Sequence, residues 1–144
     1  MSPAEADYDD RYLAGVLLFN RHDFFEAHEV WESLWLDRGG PEKRFVQGLI
    51  QAAVGLTHFV NGNLRGARKL YQSSRAYMEP YGDHYLGLDN AAFWRDMEQC
   101  FAPLLAVETP DRSLELDVAR VPAIELQPPP ARWPDPADYL ETEE

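Results

Sequence analysis

Apolar residues recur along most of the chain at the three- and four-residue spacing of amphipathic helices, interrupted by turn-forming residues. This rhythm predicts five helices. The first runs from Tyr8 to Asn20, with Tyr12, Leu13, Val16, Leu17 and Phe19 on its apolar side and Asp7 as N-cap. Asp23 is expected to cap a second helix through Leu36, with Glu26 completing a capping box. Asp37-Arg38-Gly39-Gly40-Pro41 stops that helix and starts the third, about Glu42–Asn61. The third is the most apolar element and belongs at the centre of a bundle. A fourth spans about Asn63–Met78, with Arg65, Arg68, Lys69 and Arg75 giving it a basic side. A fifth, about Asn90–Val107, contains Pro103, which is expected to kink or shorten its last turns.

The second helix carries the densest chemistry. At 100° per residue, Phe24, Ala27, Val30, Trp31, Leu34 and Trp35 form a broad apolar side. His28 and Glu32, four residues apart, share its shoulder with Phe25 and Glu29. On the third helix, Gly48, Ala52 and Gly55 make a smooth strip for a close neighbour, and Gln47, Gln51 and His58 cluster beside it. A buried carboxamide or imidazole left unpaired costs roughly 1–3 kcal/mol. These side chains therefore need partners, and the His28/Glu32 shoulder is the expected supply.

A shift of forty residues aligns Gly15 with Gly55, Phe19 with Phe59, Ala27 with Ala67 and Trp31 with Tyr71. The expectation is two stacked helical hairpins similar to tetratricopeptide hairpins, although the period differs from their 34 residues. The helical domain is assigned to residues 1–107. Residues 108–144 hold seven of the eleven prolines and carry 3 basic against 10 acidic groups. They read as an extended acidic tail packed on the domain, anchored by Trp133 and lying over the basic fourth helix.

Composition narrows the partners. A net charge of −12 disfavours nucleic acid and anionic membrane surfaces. The segment 45–64 lacks Asp, Glu, Lys and Arg, but its Gln, His, Asn and Gly content suits a buried soluble helix rather than a membrane span. The single Cys100 allows no internal disulfide and reads as a buried helix residue. The first ten residues show no secretory pattern, so a cytoplasmic location is expected. A homo-oligomer is left open.

The run Phe24-Phe25-Glu26-Ala27-His28-Glu29-Val30-Trp31-Glu32, with Phe19-Asn20 before it and Trp35 after it, resembles the signature of domain of unknown function family 309 (DUF309). The second block, Gln47-Gly48-Leu49-Ile50-Gln51-Ala52-Ala53 with His58, Gly62-Asn63 and Gly66-Ala67, resembles that family as well. The resemblance covers roughly residues 12–78. It implies a compact all-α domain and carries over His28, Glu29, Glu32, Gln47, Gln51 and His58 as motif positions. Some family labelling adds a metal-dependent hydrolase.

Four readings of these residues stand beside one another. The first is a buried polar network that fixes helix register without chemistry. The second is a pocket for a small polar ligand or peptide end. The third is a divalent metal held by His28, Glu32 and His58, with an open coordination position. The fourth is a metal-free acid/base site built on His28 and Glu32, which lacks a recognisable nucleophile.

Overall fold

A computed structural model describes residues 7–110 and 113–140. It is an all-α bundle of five helices: α1 (Asp10–Asn20), α2 (Phe24–Asp37), α3 (Lys43–Val60), α4 (Leu64–Met78) and α5 (Asn90–Leu105). A two-residue antiparallel ribbon, β1 (His84–Tyr85) and β2 (Leu88–Asp89), leads into α5. No helix among the described residues is long and apolar enough to cross a membrane.

Helix ends are closed by different groups from those the sequence suggested. Asp9, not Asp7, caps α1, its Oδ1 accepting from the Arg11 amide at 2.9 Å. Asp23 makes no side-chain cap, so the expected capping box does not form. Its backbone closes the turn instead, Asp23 N–H donating to Leu18 O at 2.9 Å. Pro103 lies within α5, which ends two residues later at Leu105.

The forty-residue correspondence reaches the turns. In the first hairpin the amides of Arg21, His22 and Asp23 donate to the carbonyls of Leu17, Phe19 and Leu18. In the second, Asn61, Gly62 and Asn63 donate to Thr57, Phe59 and His58, the same carbonyls displaced by forty. His22 and Gly62 both adopt the left-handed conformation, at φ 66° and 81°, that ends helices in this way. In each hairpin a glycine permits a close crossing: Gly15 lies under Trp31, and Gly55 lies against Ala67 and Leu70.

Helix α3 packs against both α2 and α4 and is central, as its apolar sequence requires. Phe19, Trp31, Phe45, Phe59, Phe101 and Met78 are among the largest fully buried side chains. Cys100 is buried, and that burial pushes its thiol up to about 12, where it is unreactive.

The described residues after 112 lie against α1 and α5, while Glu108, where the tail begins, meets the basic side of α4, its carbonyl accepting from Arg68 at 3.2 Å. Trp133 is 43% exposed and does not anchor them. Val121, Ile124 and Leu126 are buried instead. The Asn20 side chain grips the Ile124 backbone from both sides, donating to its carbonyl at 3.0 Å and accepting its amide at 2.7 Å. Tyr8 donates to Pro128 O at 2.6 Å and Tyr139 to Asp10 Oδ2 at 3.1 Å. Alternating aliphatic residues bury more apolar area per ordered residue here than one exposed indole can.

Candidate functional site

The α2 motif presents its polar residues outward. His28 Nδ1 lies 2.8 Å from the Phe25 carbonyl, which can only accept, so Nδ1 carries the hydrogen. Nε2 then faces Glu32 Oε2 at 3.5 Å. Glu29 and Glu32 are exposed, and Phe25, ring to ring with His28 at 5.1 Å, is half exposed.

The α3 residues turn to α4. Gln51 Oε1 accepts from Ser73 at 2.5 Å, and His58 Nδ1 sits 3.3 Å from the Asn63 carboxamide nitrogen. Gln47 is half-buried and has no hydrogen-bond partner among the described residues. His28 pairs with Glu32 within α2, and no hydrogen bond joins that pair to the α3 trio among the described residues. The smooth strip decides the direction: Gly48 abuts Met78 and Ser74, and Gly55 abuts Ala67 and Leu70, all on α4. Side chains beside that strip are carried to the same neighbour.

A metal centre is a poor fit. His28 and Glu32 offer two donors on one helix edge, but His58 is committed to Asn63. Among the described residues no three His, Cys, Asp or Glu side chains are grouped to hold an ion. An exposed i,i+4 pair of this kind contributes about 0.2–0.5 kcal/mol. Glu32→Gln should accordingly shift the urea unfolding free energy by no more than about 0.5 kcal/mol. A larger loss would mean that Glu32 has a partner beyond His28.

A different set of residues converges where the start of α1, the end of α2 and the start of α3 meet. They surround a cavity of about 160 Å³ walled by Tyr12, Leu34, Trp35, Val46 and Leu86. Its polar rim includes Asp9, Arg38, Glu42 and Lys43. Asp9 receives Arg38 Nη2 at 2.8 Å and Arg11 Nε at 3.4 Å. Burial alone would raise its carboxyl, but hydrogen bonds from the Arg11 backbone and guanidinium and from Arg38 outweigh that. The result is a carboxylate held below its usual range. Arg38 also approaches Glu42 at 3.9 Å, and Lys43 Nζ lies over the Trp35 ring, 4.3 Å from its centroid. Burial raises the Tyr8 and Tyr12 hydroxyls, so both stay protonated as donors, Tyr12 to Leu86 O at 2.9 Å. Trp35 Nε1 is buried without a hydrogen-bond partner among the described residues. Helical periodicity gives no signal for this set, because its members come from helix ends and a loop.

The family model for Domain of unknown function (DUF309) matches residues 12–70. Over those residues the chain is similar to DUF309. The chain is also 30% identical over 106 residues to the uncharacterized protein YpuF of Bacillus subtilis (strain 168), covering 69% of this chain and 60% of that protein. An uncharacterized protein of Aquifex aeolicus (strain VF5) is 31% identical over 72 residues, 49% of this chain and 22% of the relative. The chain thus spans less than two thirds of either relative's length. The segment similar to DUF309 comprises most of α1, all of α2 and α3 and the first half of α4, and includes every motif position from His28 to His58. It also supplies Tyr12, Leu34, Trp35, Arg38, Glu42, Lys43 and Val46 to the cavity. Asp9, Tyr8 and Leu86 come from outside it.

Proposed function

We propose that this chain is a ligand-binding module for a small, ring-sized polar molecule, seated in the cavity beside Trp35. The observation that carries this reading is a half-open cavity lined by the Trp35 and Tyr12 side chains with both charge signs around it. The volume of about 160 Å³ suits a single ring; an apolar protein cavity of about 150 Å³ admits benzene. Lys43 and Arg38 suit an anionic group on that ring, and Asp9 and Glu42 a cationic one.

The test uses benzoate and benzamidinium as probes of opposite charge. At least one should move the Trp35 indole N–H resonance and raise Tm, since a ligand at a hundredfold excess over Kd stabilises by about 2.7 kcal/mol. Lys43→Ala should weaken benzoate and spare the fold. An indole resonance and a Tm that ignore both probes would remove the reading. A second reading, recognition of a peptide end on the outer face of α2, is favoured by the half-exposed Phe25 beside His28, Glu29 and Glu32. The metal-dependent hydrolase reading gains no support from His28, Glu32 and His58, whose donors do not converge.

A further inference from the structure

An open groove of about 670 Å³ runs over the surface between the start of α3 and the end of α4. Its walls are four rings, those of Pro41, Tyr77, Pro80 and Tyr81. Both tyrosines and both prolines are at least partly exposed, so the rings reach solvent. Tyr81 is held on every side: its ring packs edge-on against Phe45 at 5.3 Å and tilted against Tyr85 at 4.6 Å, and its hydroxyl donates to Pro41 O at 2.5 Å. Arg44 is exposed and lies over the Tyr77 ring, 5.5 Å from its centroid. A wall of rings already fixed in place loses little freedom when a partner is laid on it.

The polar groups of the groove narrow what can lie there. Its loop acceptors are engaged, Pro41 O by Tyr81 and Gly40 O by the Lys43 amide at 3.3 Å. Ser73 gives its hydroxyl proton to Gln51. What stays open is a pair of donors: among the described residues neither the Tyr77 hydroxyl nor the Arg44 guanidinium has a hydrogen-bond or acidic partner. Arg44 is also the one charged residue lining the groove among the described residues. The occupant must therefore bring acceptors, apolar rings and a negative charge. An added β-strand would bring as many N–H groups as carbonyls. An α-helix has already paired its backbone within itself. A proline-rich segment in the polyproline II form has few N–H groups, turns unpaired carbonyls outward, and seats its rings between aromatic ridges.

We infer that the α3–α4 groove docks a proline-rich segment of another protein, one that carries an acidic residue. Its pyrrolidine rings lie against Tyr77, Pro80 and Tyr81, a backbone carbonyl accepts from the Tyr77 hydroxyl, and its carboxylate pairs with Arg44. The prolines of this chain at 128–130 are engaged elsewhere, Pro128 O accepting from Tyr8 at 2.6 Å. The groove shares no lining residue with the Trp35 cavity, so the two sites stand or fall separately.

The full-length protein is titrated with three end-blocked peptides of equal length: prolines interspersed with two glutamates, the same prolines with two lysines, and a glycine–serine chain with the two glutamates. The ring resonances of Tyr77 and Tyr81 report binding. The glutamate–proline peptide should saturate and bind at least about tenfold more tightly than either of the others. Arg44→Glu, at an exposed position, should leave Tm unchanged and reverse the order of the two proline peptides. Tyr77→Phe, which keeps the ring and removes the hydroxyl, should weaken the glutamate–proline peptide roughly fivefold. Tyrosine rings indifferent to all three peptides would remove the proposal. Equal binding of the glycine–serine peptide would mean that Arg44 merely collects carboxylates, and the proline assignment is lost. A concentration-dependent dimer abolished by Arg44→Glu would give the groove to a second copy of the chain and overturn the partner named here.

Discussion

Gly15→Ala is expected to destabilise the protein by about 3 kcal/mol, at the upper end of what one added methyl group usually costs in a packed interior. A Cβ built on Gly15 would stand 2.0 Å from Trp31 Nε1 and 2.4 Å from two further atoms of the same ring. The indole has nowhere to go. Trp31 is 0% exposed, packs against the Phe19 ring at 6.0 Å, and donates through Nε1 to Tyr12 O at 3.1 Å. Moving it breaks that hydrogen bond and shifts α2 against α1. The better helix propensity of alanine recovers only about 1 kcal/mol of the strain.

Gly48→Ala is the comparison, because its Cβ would lie 2.3 Å from Cγ of the buried Met78, a side chain with more rotatable bonds than an indole, and 3.2 Å from the Ser74 carbonyl oxygen. Methionine can change rotamer where a pinned indole cannot, so the loss there should be smaller, about 1–2 kcal/mol. Urea unfolding of both variants decides the matter. A Gly15→Ala protein as stable as the parent, or more stable than Gly48→Ala, would show that the α1–α2 crossing is not closed on Trp31.

The helices were legible because period 3.6 is imposed by burial, and burial is what distinguishes Val30, Trp31 and Leu34 from Glu29 and Glu32. The DUF309 match was legible in the same stretch. The His28–Glu32 contact was legible for an equally local reason, since four residues of helix bring two side chains together whatever surrounds them. The partners of Gln51 and His58 were not. Angular arithmetic puts Gln47, Gln51 and His58 on one side of α3, but α3 is enclosed by α2 and α4, and the angle does not say which of them that side meets. The glycine strip could have decided it only with knowledge of the fourth helix's small and flexible residues, Ala67, Ser74 and Met78. The cavity beside Trp35 was less legible still. Asp9, Arg38 and Lys43 are near one another only because three helix ends converge, and Leu86 arrives from a loop far along the chain.

Arg68→Ala should cost about 2–3 kcal/mol, in the range for hydrogen bonds made by a charged group, because one guanidinium closes the end of α5. Arg68 Nη2 donates to Leu104 O at 2.5 Å and to Val107 O, and Nη1 donates to Glu108 O at 3.2 Å. Carbonyls at a helix C-terminus have no partner within the helix and carry its partial negative charge. Leu104 O is such a carbonyl, so a cation that hydrogen-bonds it satisfies both deficits at once, while Val107 O and Glu108 O lie just beyond the helix. The contact also joins α4 to the chain that leaves α5, so its loss should loosen the last turn of α5 before the core opens. Hydrogen exchange at the amides of Leu104, Leu105 and Ala106 would register that fraying directly. Arg68→Lys keeps the charge but not the planar fork that reaches three oxygens, and should recover less than half of the loss. Arg68→Met keeps much of the aliphatic stem and separates packing from capping. Should Arg68→Met match the parent while Arg68→Ala falls, the residue acts through its stem, and the capping role is wrong.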